Sequence, residues 1–283
     1  MASDTDATRA GKGLRSKARS GRRKRLLSQK ARISLISVGC VLLLWFAATS
    51  WLQLIPAGRF PSPAEFWAAL RQSLVSGYAG APLAEHAWHS LRLVAIGFVC
   101  ATLAGVPLGL LMGYNRTAEA LISPVFSLIR PIPPLAWIPL AILWLGLGDA
   151  AKVLVIWFAA FVPSVINAHT GVRGIDGGLF AAARMLGVPR LRMVSEVILP
   201  GALPMIFTGL RLSLQAAWTT LVAAELVGAL MGVGFILNVA QQDIYPSMIL
   251  VGMVTVGLLG WLTTKGLVMV EQAALARWPQ GRS

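Results

Sequence analysis

Charge is scarce in this chain. Charged residues fill 13% of its 283 positions and hydrophobic ones 56%, where an ordinary soluble domain carries about 25% charged residues. With a mean hydropathy of +0.70, that balance excludes a water-soluble globular protein. Acid is scarcer still, with 11 Asp and Glu against 25 Lys and Arg. The two cysteines, Cys40 and Cys100, each sit inside an apolar run, and two such distant residues make neither a disulfide framework nor a metal site. Three histidines, His86, His89 and His169, stand singly at no ligand spacing and read as interfacial residues. No cluster of acids joins them, as an integral membrane enzyme would require. A Gly-x4-Gly-Lys-Ser/Thr phosphate loop is absent, so the chain lacks that device for binding ATP. No internal repeat is strong enough to argue inverted symmetry.

What is present is a series of apolar runs. A chain of this length has room for roughly six spans of about 20 residues, and the expected fold class is an all-α integral membrane protein with six transmembrane helices. The runs are Ile33 to Leu54, Leu91 to Gly113, Leu121 to Gly146, Val153 to Ala168, Leu203 to Leu230 and Ser247 to Val270. Between the first two, Ala64 to Leu70 suits a short amphipathic helix on the membrane surface. The expected organisation is a disordered basic tail over residues 1–32, a first span with its amphipathic segment over 33–87, a core over 88–275 with a loop at 171–200, and a short C-terminal tail over 276–283.

Eleven of the Lys and Arg lie between Arg9 and Arg32, beside only Asp4 and Asp6. An apolar span follows at once, which favours a cytoplasmic tail that fixes topology and touches anionic lipid over a nucleic-acid arm. A cleaved signal peptide does not fit, because Trp51-Leu52-Gln53-Leu54 follows where small residues would be needed. With the tail inside, both termini are cytoplasmic. The inner loops then hold Arg116, Arg173, Arg184, Arg190 and Arg192, and the outer segments Arg59, Arg71 and Lys152.

Two spans carry residues ill suited to lipid. The third contains Pro124, Pro131, Pro133, Pro134 and Pro139, with Arg130 before Pro131. Prolines remove backbone donors and push the preceding residue out of helical geometry, so Arg130 to Pro134 cannot be regular helix. Broken backbone at membrane depth survives only against protein or water. Two readings fit: a break lining an anion pathway, with a half-helix N-terminus facing it, or a structural kink with Arg130 snorkelling to the interface. The fifth span contains Trp218, Thr219, Thr220 and, six residues after Thr219, the lone acid Glu225. Thr219, Thr220 and Ala223 share part of one helical face. They read as a polar strip along a path, or as hydroxyls bonded to their own helix with Glu225 in an ion pair, Arg130 being a candidate partner. Arg211 and Lys265 read as snorkelling residues near the inner interface.

The loop after the fourth span is the most specific feature. Leu179 to Leu186 reads as a short helix stopped by Gly187 and Pro189, and Pro200 and Pro204 open the fifth span. Ala181-Ala182-Ala183, Gly187 and Val197-Ile198-Leu199-Pro200 resemble the loop signature of bacterial ABC importer permeases, Glu-Ala-Ala, three residues, Gly, nine residues, Ile-x-Leu-Pro. The spacing matches; Ala181 stands where the signature has Glu, which removes an ion pair from that position. Pro131 to Leu140, Ile198 to Pro204 and Leu221 to Leu226 resemble the taurine, aliphatic sulfonate and nitrate branch, nearest to taurine permeases.

That resemblance implies a type I importer-like permease in the bacterial inner membrane, working as a homodimer. Two cytoplasmic ATPase subunits would use ATP and Mg and dock on a coupling helix bearing Leu179, Ala181, Ala182, Ala183, Arg184, Gly187 and Pro189. A periplasmic or lipid-anchored binding protein would deliver the substrate. The translocation path would involve Arg130, Pro131, Pro133, Pro134, Trp218, Thr219, Thr220 and Glu225. No cofactor or metal is expected on the chain, and no nucleic acid as partner. Nitrate, bicarbonate or a pyrimidine precursor are alternative cargoes. A gradient-driven secondary transporter would use Arg130 and Glu225 as a relay but leaves the loop signature without a purpose.

Overall fold

Helices are the regular elements of the described residues, because a chain in hydrocarbon must satisfy its backbone polar groups internally. The computed structural model describes residue 33, residues 35–52 and residues 58–276. The expected tail over 1–32 and nearly all of that over 276–283 lie outside these residues. In order come α1 (Leu35–Trp51), α2 (Pro63–Val75), α3 (Leu83–Tyr114), α4 (Arg116–Ile129), a 3-10 turn (Pro134–Trp137) and α5 (Ile138–Leu145). There follow α6 (Asp149–Arg173), α7 (Gly177–Met185), the single turn α8 (Arg190–Arg192), a π-helical stretch (Met193–Ile198), α9 (Leu199–Gly228), α10 (Val233–Gln242) and α11 (Pro246–Ala276).

Four stretches are long and apolar enough to cross a membrane: α3, α6, Met193–Gly228 and α11. Helices α4 and α5 make a fifth if their 82° bend interrupts one span. The expected first span is the shorter apolar helix α1, with residues 34, 53 and 54 outside the described set. Sequence signals place several ends. Ser62 and Glu65 form a capping box at α2, the Ser62 amide donating to the Glu65 carboxylate (2.7 Å) and the Glu65 amide to the Ser62 hydroxyl (3.3 Å). Asn115 separates α3 from α4 by accepting the amides of Thr117 and Ala118. The fifth apolar run does not continue to Leu230: α9 ends at Gly228, and the chain turns into α10, a helix that the hydropathy pattern hides.

The chain divides into two compact units between Glu65 and Phe66. In the first, Trp45 donates its indole proton to the Pro61 carbonyl (2.9 Å) and meets Phe60 edge-on. The second is built on α3, α6 and α9. Gly97, Gly105, Gly109 and Gly113 repeat along one face of α3, with buried Ala101 between them. A Cβ on Gly97 would lie 2.5 Å from the Ile156 side chain, on Gly109 2.4 Å from the Val165 carbonyl oxygen, and on Gly113 2.6 Å from Val172 Cβ. Small residues are what let membrane helices approach so closely. Within the α6–α9 contact, Ser164, Ser213 and the Ala160 carbonyl converge within 2.7–2.9 Å, tying α9 to the pair. Leu93, Val94, Ile156, Leu214, Trp218 and Leu221 fill the core between them.

Ion pairs staple the helices. Asp149 at the start of α6 meets Lys152 (3.3 Å), Arg92 (3.2 Å) and His89 (3.0 Å). At the other end, Glu119 of α4 meets His169 (3.1 Å) and Arg173. Arg211 does more than snorkel: it pairs with Glu271 of α11 at 3.0 Å and donates to Thr208. Replacing Gly109 with valine should therefore lower the melting temperature of the detergent-solubilised chain, since overpacking costs about 1–3 kcal/mol and sometimes more. Gly266→Val, where a Cβ would have no neighbour within 4 Å, should leave it unchanged. Equal melting of the two variants would contradict the α3–α6 contact.

Candidate functional site

The break expected in the third span is present. Helix α4 ends at Ile129; Arg130, which keeps helical dihedrals despite the proline after it, donates its amide proton to the Phe126 carbonyl (2.9 Å), and the Ile132 amide closes a turn on the Ile129 carbonyl (3.1 Å). The 3-10 turn then leads into α5, which has Pro139 in its first turn, where a missing donor does no harm. Trp137 stacks on Phe158 of α6 with centroids 4.2 Å apart, fixing the bend to the core. Arg130, Pro131 and Pro133 are exposed on this chain and Pro134 is half-buried.

Along α9 the structure separates residues that the sequence groups together. Thr219 is exposed and bonds the carbonyls of Gln215 and Ala216 in its own helix. Thr220 is buried. Trp218 is buried too, its indole proton on the Thr263 hydroxyl of α11 at 3.0 Å. The expected strip of Thr219 and Thr220 is thus not one exposed face. The open polar face carries Thr219 and Gln215 instead, and their four-residue spacing was the signal available for finding Gln215.

Glu225 is fully buried, and among the described residues it makes no ion pair with Arg130. It caps α10. One carboxylate oxygen accepts the Gly234 amide at 2.7 Å and the other the Ser90 hydroxyl at 2.8 Å. Ser90 Oγ accepts the Val233 amide at 2.9 Å, and His86 Nδ1 accepts the Gly232 amide at 3.0 Å. Because Nδ1 accepts, the His86 proton sits on Nε2, which donates to the Tyr78 carbonyl at 3.1 Å. Three opening amides of α10, those of Gly232, Val233 and Gly234, which no helix can pair for itself, are met by buried side chains from α3 and α9. The fit dictates two glycines. At Gly232, φ is +129° and a Cβ would fall 2.1 Å from Glu225 Oε1; at Gly234 it would fall 2.6 Å from Glu225 Cβ. Beside this cap, Tyr78 donates its hydroxyl proton to Asp243. Burial and that carboxylate push the phenol above its ordinary range.

The third cluster is the loop after α6. Asp176 caps α7 by accepting the Gly178 amide at 2.9 Å. At its other end the Gly187 amide bonds the Arg184 carbonyl (3.0 Å) and the Val188 amide the Ala183 carbonyl (3.1 Å). This is a Schellman turn whose left-handed position is Gly187, at φ +67°. Ala183 is buried with Val172, Met193, Ile198 and Ala202. Ala181, Ala182, Arg184, Gly187 and Pro189 are exposed. So are Leu179 (56%), Met185 (89%) and Leu186 (82%), large apolar side chains outside the long spans. Helix α7 is therefore anchored at Ala183 while the apolar side chains around that anchor, Leu179, Met185 and Leu186, stay exposed on this chain.

The model of the family described as "Binding-protein-dependent transport system inner membrane component" matches residues 105–273, the bend, the α7 loop and α10 included. The chain belongs to that family. Among curated proteins it is similar to the taurine transport system permease protein TauC of Escherichia coli, at 35% identity over 87% of this chain and 90% of that one. The putative aliphatic sulfonates transport permease protein SsuC of Bacillus subtilis is 35% identical over 80% of each. The bicarbonate transport system permease protein CmpB of Synechococcus elongatus is 37% identical over 65% of this chain and 66% of that one. In fold it resembles a chain of the inward-facing MetNI methionine ABC transporter, with a TM-score of 0.60 at 22% identity over 68% of this chain and 95% of that chain. The chain is thus an ABC importer permease of the branch related to taurine and sulfonate permeases, the translocating part of its machine, and family membership displaces the secondary-transporter reading.

Glu225→Ala should speed hydrogen exchange of the Gly232 to Gly234 amides and destabilise the chain, since each buried donor left unpaired costs about 1–3 kcal/mol. Thr219→Ala, which removes only bonds within its own helix, should leave those amides protected. Unchanged protection in Glu225→Ala would refute the cap.

Proposed function

We propose that this chain is the permease of an importer for a small organic anion, taurine or another aliphatic sulfonate. It crosses the membrane six times, α1 supplying the first crossing and α4 with α5 the third, and both termini are cytoplasmic. Two copies form the pathway. Two ATPase subunits, which hold the ATP and Mg, dock on α7, and a periplasmic or lipid-anchored protein delivers the anion. The chain itself contributes no catalytic group and no cofactor.

The observation that carries the coupling role is that α7 is anchored at one residue and exposes large apolar side chains around it. Leu179, Met185 and Leu186 are exposed while Ala183 is fixed in the core, so a push on the outer face reaches α6 and α9 without being absorbed by a loose loop. ATP closes the motor subunits, α7 moves with them, and α9 with the α4–α5 bend reorients. Arg130, Pro131, Pro133 and Pro134 at the bend, with Thr219 and Gln215 on the open face of α9, border the path. Trp218, Thr220 and Glu225 hold α9 from behind. The choice of taurine follows the permeases TauC and SsuC; the 37% identity to CmpB keeps bicarbonate, with nitrate and pyrimidine precursors, as the alternative cargo.

Gly187 tests the coupling. Its added Cβ would have no neighbour within 4 Å, so the demand is conformational. Asparagine tolerates the left-handed region and valine does not. Gly187→Asn should transport nearly normally, whereas Gly187→Val should keep basal ATPase activity in the assembled complex and lose most transport; transport by Gly187→Val at the native rate would count against the role of α7. The cargo is tested by ATPase activity of the complex in lipid vesicles. Stimulation should require both taurine and the binding protein, and stimulation by bicarbonate alone would replace the sulfonate reading.

A further inference from the structure

At the end of the bundle where α3 passes into α4, two connected cavities remain open. The inner one, of about 220 Å³, is lined by Pro107, Leu110, Leu111, Tyr114, Val194 and Ile198. Its wall is hydrocarbon apart from one phenol. It shares Leu111, Tyr114 and Val194 with an outer cavity of about 750 Å³. Arg116 and Arg184 line that outer chamber, and no acidic residue lines either one among the described residues.

Among the described residues the arginines have no counter-ion. Neither makes an ion pair with a described residue. Glu119, one turn along α4 from Arg116, is taken by His169 and Arg173. Asp176 accepts the Gly178 amide to cap α7. Asn115 is occupied by the amides of Thr117 and Ala118, so the α4 N-terminus is already satisfied. Tyr114 lies against Phe180 with centroids 6.4 Å apart and is 37% exposed, as suits a tyrosine at the level of lipid headgroups.

We propose that these chambers form a binding site for one anionic phospholipid, an acyl chain in the apolar cavity and the phosphate between Arg116 and Arg184. A free anion would answer the guanidinium pair, whose forks match phosphate oxygens, but leaves the hydrocarbon cavity without an occupant. A zwitterionic lipid would fill the cavity but leaves the excess positive charge. An anionic amphiphile satisfies both, and basic pockets between membrane helices are where such headgroups bind. The lipid would bridge the α3–α4 junction to the π-helical stretch and α7. The site stands on the membrane placement of the chain, and it does not depend on which anion is imported.

Native mass spectrometry of the full-length permease tests it, with phosphatidylglycerol, phosphatidylcholine of the same acyl chains, and inorganic phosphate as probes. Wild type should retain phosphatidylglycerol in preference to phosphatidylcholine. Arg116→Gln with Arg184→Gln should lower that retention roughly tenfold, as expected for the loss of charge-assisted bonds, while Arg116→Lys with Arg184→Lys restores part of it. Leu110→Trp, which fills the inner cavity, should reduce retention with both arginines present, a result that the basic tail cannot produce. All variants should melt as wild type does. Undiminished phosphatidylglycerol on the double Gln variant, no preference in wild type, or competition by inorganic phosphate at equal strength would overturn the site.

Discussion

Helices in a bilayer gain nothing from hiding apolar surface from one another, since lipid tails are as apolar as leucine. Association rests on close packing and a few hydrogen bonds. The near contact of α3 with α6 is therefore the constraint on which the rest of this structure hangs. Glycines at 97, 105, 109 and 113 bring the α3 backbone within reach of Ile156, Ser164, Val165 and Val172, and a side chain added at any of the four would push the helices apart. Close approach then sets both ends. His89 and Arg92 of α3 reach Asp149 on α6, and Glu119, just past the end of α3, reaches His169 and Arg173. Helix α9 adds to a pair already fixed, through Ser213 on the Ala160 carbonyl and Gly209, whose Cβ would lie 2.6 Å from Asn167 Cβ.

Polar side chains in such a bundle have two stable fates. They can be enclosed and fully bonded, or face a surface where water or a partner completes them. Glu225 takes the first. Its neighbours are not cations but the amides and hydroxyl of Gly234 and Ser90, so a carboxylate that looks misplaced in an apolar run is the acceptor a buried helix start requires. Thr219 and Gln215, less than three turns away on the same helix, take the second, exposed on this chain. The contrast divides α9 into a back that holds α3, α6 and α11 and a front free to line something else.

What could be read in advance was local. Five prolines in one apolar run announced the bend, because each acts on its own backbone. Gly187 and Pro189 announced the end of α7 for the same reason, and Ser62 with Glu65 carries a start signal within four residues. What escaped depends on contacts between distant segments. Ser90 is an ordinary serine until α10 lies over it, and α10 itself falls in the interval between the apolar runs Leu203 to Leu230 and Ser247 to Val270, too short to read as a span. His86 looked interfacial because nothing near it in sequence needs its nitrogen; its acceptor role comes from Gly232, 146 residues away. Arg211 likewise looked solvated, and Glu271, sixty residues on, gives it a partner inside the bundle.

The loop signature acquires a physical meaning from the same distinction. The proposed coupling role asks an element to be firmly anchored and also apolar where it meets a partner, and those demands fall on different residues in and beside α7. Firmness comes from Ala183 in the core, from Gly201, whose Cβ would fall 2.8 Å from Ile175 Cδ1, and from the Gly187 turn that returns the chain to Val188. These call for small or conformationally free residues, which is why the signature is written in alanine and glycine. In the proposed docking, adhesion falls to the exposed Leu179, Met185 and Leu186, where only apolar character is asked. An acid at position 181 would add one more contact on the exposed side, but the anchoring side lacks nothing without it. On this reading Ala181 alters how firmly a motor subunit is held and leaves intact the path by which its movement reaches α6 and α9.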